Sequence, residues 1–227
     1  VSNAKDNIIG GDRTRGNGFL GEGNLISGNG SGVGMFGPAA TGNRVIGNYI
    51  GTDITGASAF GNRNRGVSLT GGASHNLIGG TTPGERNVIS GNGWGGVVIM
   101  DKGTMGNRVF GNYIGLDANG TRTVVGHLDS GVFIEKGASG NIIGGTAPGE
   151  RNVVSGNGRE EIGLMNGANG NVIVGNYIGT DAAGAANLSN SFAGVTMELG
   201  SFNNLIQGNV IGNNGTAGIM ISDWGTW

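Results

Sequence analysis

Apolar residues in this chain come in short runs of period two, most of them closed by Gly within a few positions. The commonest unit, Asn-x-[Ile/Val], occurs fourteen times in register between Asn7 and Ile211. A second unit, Gly-[Val/Ile]-x-hydrophobic, begins at Gly32, Gly66, Gly96, Gly131, Gly194 and Gly218, and Glu161-Ile162-Gly163-Leu164 fills the one slot missing from that series. Alternation of this kind predicts β-strands, and the flanking Gly and Asn tolerate the left-handed backbone angles of tight turns. Helices are disfavoured, because Gly interrupts every stretch long enough to form one. Each interval between second units holds three short strands, none of which can bury a face alone. Coiling the chain so that each strand pairs with its equivalent one turn later closes a core. The expected fold is therefore an all-β parallel β-helix, a solenoid of about seven rungs. At roughly 4.8 Å per rung it forms a rod on the order of 30 Å long.

A longer repeat is superimposed on the rungs. Gly47-Asn-Tyr-Ile-Gly-Thr-Asp53 returns at 111–117, with Leu116 for Thr52, and again at 175–181, a spacing of 64. Glu85-Arg-Asn-Val-Ile-Ser-Gly-Asn92 returns at 150–157, a spacing of 65. The period is thus two rungs, with long loops alternating between two edges of the prism. These units, Asn-x-Ile-x-Gly-Asn with Gly-Val-x-Ile, resemble the right-handed parallel β-helix repeats of secreted bacterial proteins in the pectate-lyase-like superfamily. The resemblance spans nearly the whole chain. It implies the fold and an extracellular or cell-surface location, but no one activity, since lyases, glycosidases, tailspikes, adhesins and structural pieces share that architecture. The lyases of the superfamily use clustered acidic calcium ligands with an Arg or Lys base, and no position here matches that motif. Residues 1–227 read as a single array. Patterned sequence reaches almost to both termini, so the array is expected to belong to a longer chain or to stack on other subunits, with Trp224 and Trp227 as partial cover for the last rung.

Composition narrows the function classes. The chain holds 53 Gly and 29 Asn, with 36% hydrophobic and 12% charged residues and a net charge of −2. Low charge argues against a disordered tail, and three prolines without a Gly rhythm exclude collagen. No run of about 18 apolar residues is present to insert in a membrane as a helix. A net charge near zero gives no electrostatic case for nucleic acid. Without Cys there are no disulfides, thiol nucleophiles or cysteine-bound zinc.

Several residues are candidates for chemistry. Five positions after the Asn of the second Asn-x-[Ile/Val] unit in each rung come Asn29, Asp53, Asn92, Asp117, Asn157, Asp181 and Asn214, expected to stack as one alternating Asn/Asp ladder. Asp53, Asp117 and Asp181 open turns with enough oxygens to be weak calcium candidates, or they form simple Asx-turns; no other cofactor is expected. Tyr49, Tyr113 and Tyr177 belong to an outward apolar stripe with Leu25, Val88, Val153 and Val210. Either the loops cover that stripe, or it meets a polysaccharide or a neighbouring rod. At the corner before the third strand type, His127 and Asp129 replace Asn62 and Asn64, and Glu160 and Glu161 replace Gly95 and Gly96 one rung on. Such a grouping of acid, base and the cation Arg159 suits glycoside hydrolysis, or else a salt-bridged loop. Glu85-Arg86 and Glu150-Arg151 look like paired loop charges. The leading expectation is a non-catalytic structural or adhesive solenoid that self-associates end to end or laterally. A polysaccharide-active enzyme, or its binding module, is the alternative.

Overall fold

A computed structural model describes residues 4–124, 126–188 and 190–223. It contains three parallel sheets of seven strands, wound in turn into a solenoid. The first sheet runs from Ile8–Gly10 through Arg44–Ile46 and Arg108–Val109 to Leu205–Gln207, and the second from Leu25–Ile26 through Tyr49–Ile50 and Tyr113–Ile114 to Val210–Ile211. The third, widest sheet runs from Val33–Phe36 through Arg65–Thr70 and Gly95–Met100 to Ile219–Ile221. The helical content among the described residues is one 3-10 turn, Pro148–Glu150. All-β coiling, three strands per rung and seven strands per sheet agree with the sequence reading.

Registers follow the expected columns. Val33, Val67, Val97, Val132, Ile162, Val195 and Ile219 pair in succession on the third sheet. Ile26, Ile50, Ile89, Ile114, Val154, Ile178 and Ile211 do so on the second. With Val45, Ile78, Val109, Ile143 and Ile173 from the first sheet, all of these except the half-exposed Ile219 line one continuous core. Full burial of each such side chain contributes about 1.5–3 kcal/mol.

At the corners, sheet hydrogen bonding stops and Asn takes over. Asn112 shows the unit. Its backbone N–H and its Nδ2 both donate to Asn152 Oδ1 at 3.0 Å, and Nδ2 also reaches the Ile78 carbonyl at 2.9 Å and its own strand's Phe110 carbonyl at 3.0 Å. Its Oδ1 accepts from Asn87 Nδ2 at 2.9 Å. Two ladders of this kind run unbroken through the rod. One passes from Asn7 through Asn43, Asn76, Asn107, Asn141 and Asn171 to Asn204. The other passes from Asn24 through Asn48, Asn87, Asn112, Asn152 and Asn176 to Asn209. The tight link between the first two strands of alternate rungs needs Gly: Gly47 has φ +67°, and a Cβ there would lie 1.8 Å from the Gly11 carbonyl oxygen.

Long loops stack on their own kind, two rungs apart. Ala118 N–H bonds the Gly56 carbonyl, and Ala182 N–H bonds that of Gly120, joining the three Asp loops. On the other edge Arg13 N–H bonds the Gly84 carbonyl.

Because each interior amide serves several buried groups at once, Asn112→Ala should lower stability by about 3 kcal/mol or more. Asn209→Ala, on the outermost rung, should cost about 1 kcal/mol. Denaturant titrations of the two variants check this, and equal losses would remove the ladder as the source of the difference.

Candidate functional site

The third corner, before the widest sheet, carries a ladder whose members differ from the expected column. Asn29 donates to Asn62 Oδ1 at 3.1 Å, and Asn62 to Asn92 Oδ1 at 2.8 Å. Asp53, Asp117 and Asp181 are therefore not interleaved with Asn29, Asn92, Asn157 and Asn214. In those rungs the corner carries an inserted turn, closed by antiparallel bridges Thr52–Ala59, Leu116–Thr123 and Thr180–Asn187. A fixed offset of five lands inside that insert, and the ladder residue follows it. Each aspartate instead holds its own turn, as an Asx-turn would. Oδ1 of Asp53 accepts from Ala57 N–H at 3.0 Å, that of Asp117 from Thr121 N–H at 2.9 Å, and that of Asp181 from Ala185 N–H at 2.9 Å. As a donor set for calcium, each turn offers one carboxylate with Oδ1 already engaged. Among the described residues no group of three or more His, Asp or Glu side chains is arranged to hold a metal ion.

The corner ladder changes chemistry at His127, which is 1% exposed. Its Nδ1 accepts the Asn92 backbone N–H at 3.2 Å. Its Nε2 lies 3.0 Å from the Ile89 carbonyl, which can only accept, so the proton resides on Nε2. Those are two of the three jobs of a ladder Asn: Asn62 and Asn92 likewise send Nδ2 to the equivalent Ile26 and Ile50 carbonyls. The imidazole has no further N–H, and Asn157 Oδ1 on the next rung is buried without a partner. Burial lowers the pKa of His127 from 6.5 to about 4, so the ring is neutral. The sequence grouped His127 with the carboxylates as a base; the structure places it inside the ladder with both nitrogens committed.

Glu161 is the second departure. It occupies a column otherwise filled by Gly32, Gly66, Gly96, Gly131, Gly194 and Gly218. A Cβ on Gly66 would lie 2.9 Å from Asn92 Nδ2, so the column faces the ladder. Glu161 is fully buried and accepts Asn157 Nδ2 on Oε2, the role that Asn Oδ1 of the next rung plays elsewhere. Desolvation pushes its pKa from 4.5 to about 8, with the charge of Glu160 adding to the rise, against hydrogen bonds from Asn157 and Gly156.

Outside the ladder lies a surface cluster. Ser130 Oγ donates to Glu160 Oε1 at 2.6 Å and stands 3.4 Å from Asp129 Oδ1. The Arg159 guanidinium lies 3.7 Å from both Asp129 and Glu160. Asp129 and Glu160 thus come together as expected, but Glu160 is fully buried, which leaves Asp129 and Arg159 as the groups a ligand can reach. Trp94 belongs to the same surface and lines a crevice with Asp129, Ser130 and Phe133.

The tyrosine stripe is covered along its middle. Guanidiniums of Arg13, Arg86 and Arg151 sit 4.6, 4.1 and 4.0 Å from the ring centroids of Tyr49, Tyr113 and Tyr177. Loop glycines approach the same rings; a Cβ on Gly120 would lie 2.7 Å from that of Tyr113. Tyr113 is 8% exposed and packs with Leu116 and Val153 in a second, smaller core. Glu85 and Glu150 bond Arg44 and Arg108 at 3.2 and 3.3 Å rather than their sequence neighbours, because Arg86 and Arg151 are taken up by the tyrosines. Sequence spacing held no sign of Arg13, which reaches Tyr49 from an unrelated position.

The chain matches no protein-family model, no curated protein and no solved structure. No helix among the described residues is long and apolar enough to cross a membrane. Trp224 and Trp227 lie outside the described residues.

The two buried groups predict opposite pH effects. His127 stays neutral when folded, so its contribution is present above pH 6.5 and is lost as pH falls toward about 4. Glu161 stays protonated when folded, so its contribution is full below pH 4.5 and is lost as pH rises toward about 8. Melting temperatures across this range should lose their acid-side slope in His127→Asn and their alkaline-side slope in Glu161→Gln. Unaltered profiles in both variants would show that neither group titrates as described.

Proposed function

We propose that the chain is a non-catalytic structural solenoid of extracellular or cell-surface type, a rigid rod that joins axially to further rungs. The observation that supports this is the chemistry of its two axial faces. On the first rung, Asn7, Asn24 and Asn29 donate inward along the rod, and among the described residues no group donates to their Oδ1 atoms. On the last, no described group accepts the backbone N–H of Asn204, Asn209 or Asn214. One end therefore presents acceptors at three corners and the other presents donors at the same three. Strand edges add to both faces, and edges of this kind pair with another strand unless they are blocked. The first face also contains a hollow of about 440 Å³ lined by Ile9, Met35, Phe36 and Ala40, and Ile219 is half exposed on the last. Contact of unlike faces is heterologous and propagates into a filament rather than closing.

The finer resemblance to right-handed, secreted bacterial β-helices is supported by the three-strand rung and the Asn ladders, and by the strong right-handed preference of parallel crossovers. A glycosidase reading has less support, because Glu160 is sealed from solvent and His127 is bound within the ladder.

Light scattering against concentration, with electron microscopy of the same sample, should reveal rods in multiples of the roughly 30 Å spanned by one chain. Ile219→Lys, which sets a charge on the last face, should reduce them to single-chain length without altering the circular dichroism spectrum. Wild-type protein of single-chain size at every concentration would overturn the axial reading.

A further inference from the structure

At the far end of the third sheet, each strand leaves through a residue with positive φ. Gly37 and Gly71 take that place on the first two rungs, at φ +86° and +63°, and Asp101, Lys136 and Asn166 on the next three, at φ +79°, +54° and +51°. Glycine enters this region without steric cost and lysine does not, so the turn gives no folding reason for Lys136. Pairing of Ile134 with Leu164 puts Lys136 one rung from Asn166, and the Gly137 N–H donates to the Asn166 carbonyl at 3.1 Å. Glu135 stands against both side chains. Its Oε1 lies 3.7 Å from Lys136 Nζ, and its Oε2 accepts Asn166 Nδ2 at 3.3 Å. The Glu135 side chain is 10% exposed, against 56% for Lys136, and the buried Met100 and Met165 flank it on the adjoining rungs. Asp101 accepts the Gly71 N–H at 3.0 Å, and among the described residues Lys136 forms its ion pair with Glu135.

We propose that Lys136 and Asn166 form an isopeptide bond, a covalent stitch between the fourth and fifth rungs, with Glu135 as the catalytic proton carrier. Lys136 Nζ gives a proton to the Glu135 carboxylate and attacks Asn166 Cγ. The Nζ–Cγ bond forms and the Cγ–Nδ2 bond breaks. Of the three protons on the lysine ammonium, one stays on the new amide and two pass through Glu135 to Nδ2, which departs as ammonium. The carboxylate is regenerated, and the step balances without a co-reactant. Fixing amine and amide on neighbouring rungs supplies the proximity that this exchange lacks in free solution. Asn166 is exposed, so the ammonium has a way out. The position also suits a stitch. Strands Val132–Glu135 and Ile162–Leu164 start at the corner where His127 has no N–H to offer Asn157 Oδ1. The new bond ties the opposite end of the strand pair whose ladder link is missing.

The test is intact-mass measurement and tryptic mapping of the full chain after incubation at neutral and alkaline pH. The mass should fall by one ammonia, and trypsin should leave Lys136 uncut, with peptide 123–151 joined to 160–227. Lys136→Arg keeps the exposed cation and should retain the unreacted mass. Glu135→Gln should slow the loss by about 100-fold or more. The stitched wild type should melt above Lys136→Arg, and both variants should keep the wild-type circular dichroism spectrum. Asn166 precedes Gly167, and cyclisation onto that glycine also releases ammonia, but it leaves Lys136 open to trypsin and proceeds in Lys136→Arg. That outcome, an unchanged mass, or a joined peptide that forms as fast in Glu135→Gln would each overturn the proposal.

Discussion

Every corner of this rod buries backbone groups that no sheet can pair, and a side-chain amide repeated in register is what pairs them. A ladder member must accept on one side and donate on the other, while sending another N–H to a carbonyl one rung back. Asn112 does all three. Asp has no donor and would face the next member's oxygen with its own, so an alternating Asn/Asp column is chemically weaker than an all-Asn one. The aspartates instead accept backbone N–H groups at turns that project outside the corner, where acceptor-only chemistry fits. Histidine comes closer: one acceptor and one donor reproduce two of the three functions, and Asn157 Oδ1 is left without its donor.

Much of the glycine content follows from the same constraint. Ladder amides sit close against the residue that opens the third strand of each rung, and a Cβ on Gly131 would lie 2.7 Å from Asn157 Nδ2. The corner tolerates a side chain there only if that side chain enters the ladder. Glu161 does so, because its carboxyl accepts the amide that would otherwise have gone to the following rung. Low hydrophobic content is therefore compatible with a dry core: small residues and amides make the corners, and a few Ile and Val columns fill the interior.

Columns within strands were legible in the sequence because strand period and rung spacing are both regular. Val33 through Ile219 could be aligned by counting, and the register agrees at each step. Corners of variable length were not legible in this way. The insert between Thr52 and Ala59 shifts the ladder residue from position 53 to 62, and only its antiparallel bridge shows the shift. The Asn62/His127 correspondence was visible, but its meaning was not, since a histidine in place of a turn Asn looks the same from sequence whether it faces solvent or the ladder. The cover over Tyr49, Tyr113 and Tyr177 was hidden for another reason. It depends on loops two rungs apart touching each other, and on arginines whose sequence neighbours suggested a different partner.

Inner and outer irregularities of the third corner fall on neighbouring rungs. The turn from Asp117 to His127 is one residue longer than that from Asp53 to Asn62, and this is where His127, Asp129 and, a rung on, Arg159, Glu160 and Glu161 replace the repeat. Inside, the substitutions interrupt hydrogen bonding and leave Glu161 Oε1 and Asn157 Oδ1 without partners, both at a cost in stability. Outside, they set an arginine against two carboxylates beside an exposed indole. A sequence that repeats its solution faithfully elsewhere has no folding reason to accept that cost at one corner. Local violations of an otherwise consistent pattern mark places where something other than folding has shaped the residues. On this rod such violations concentrate at the third corner.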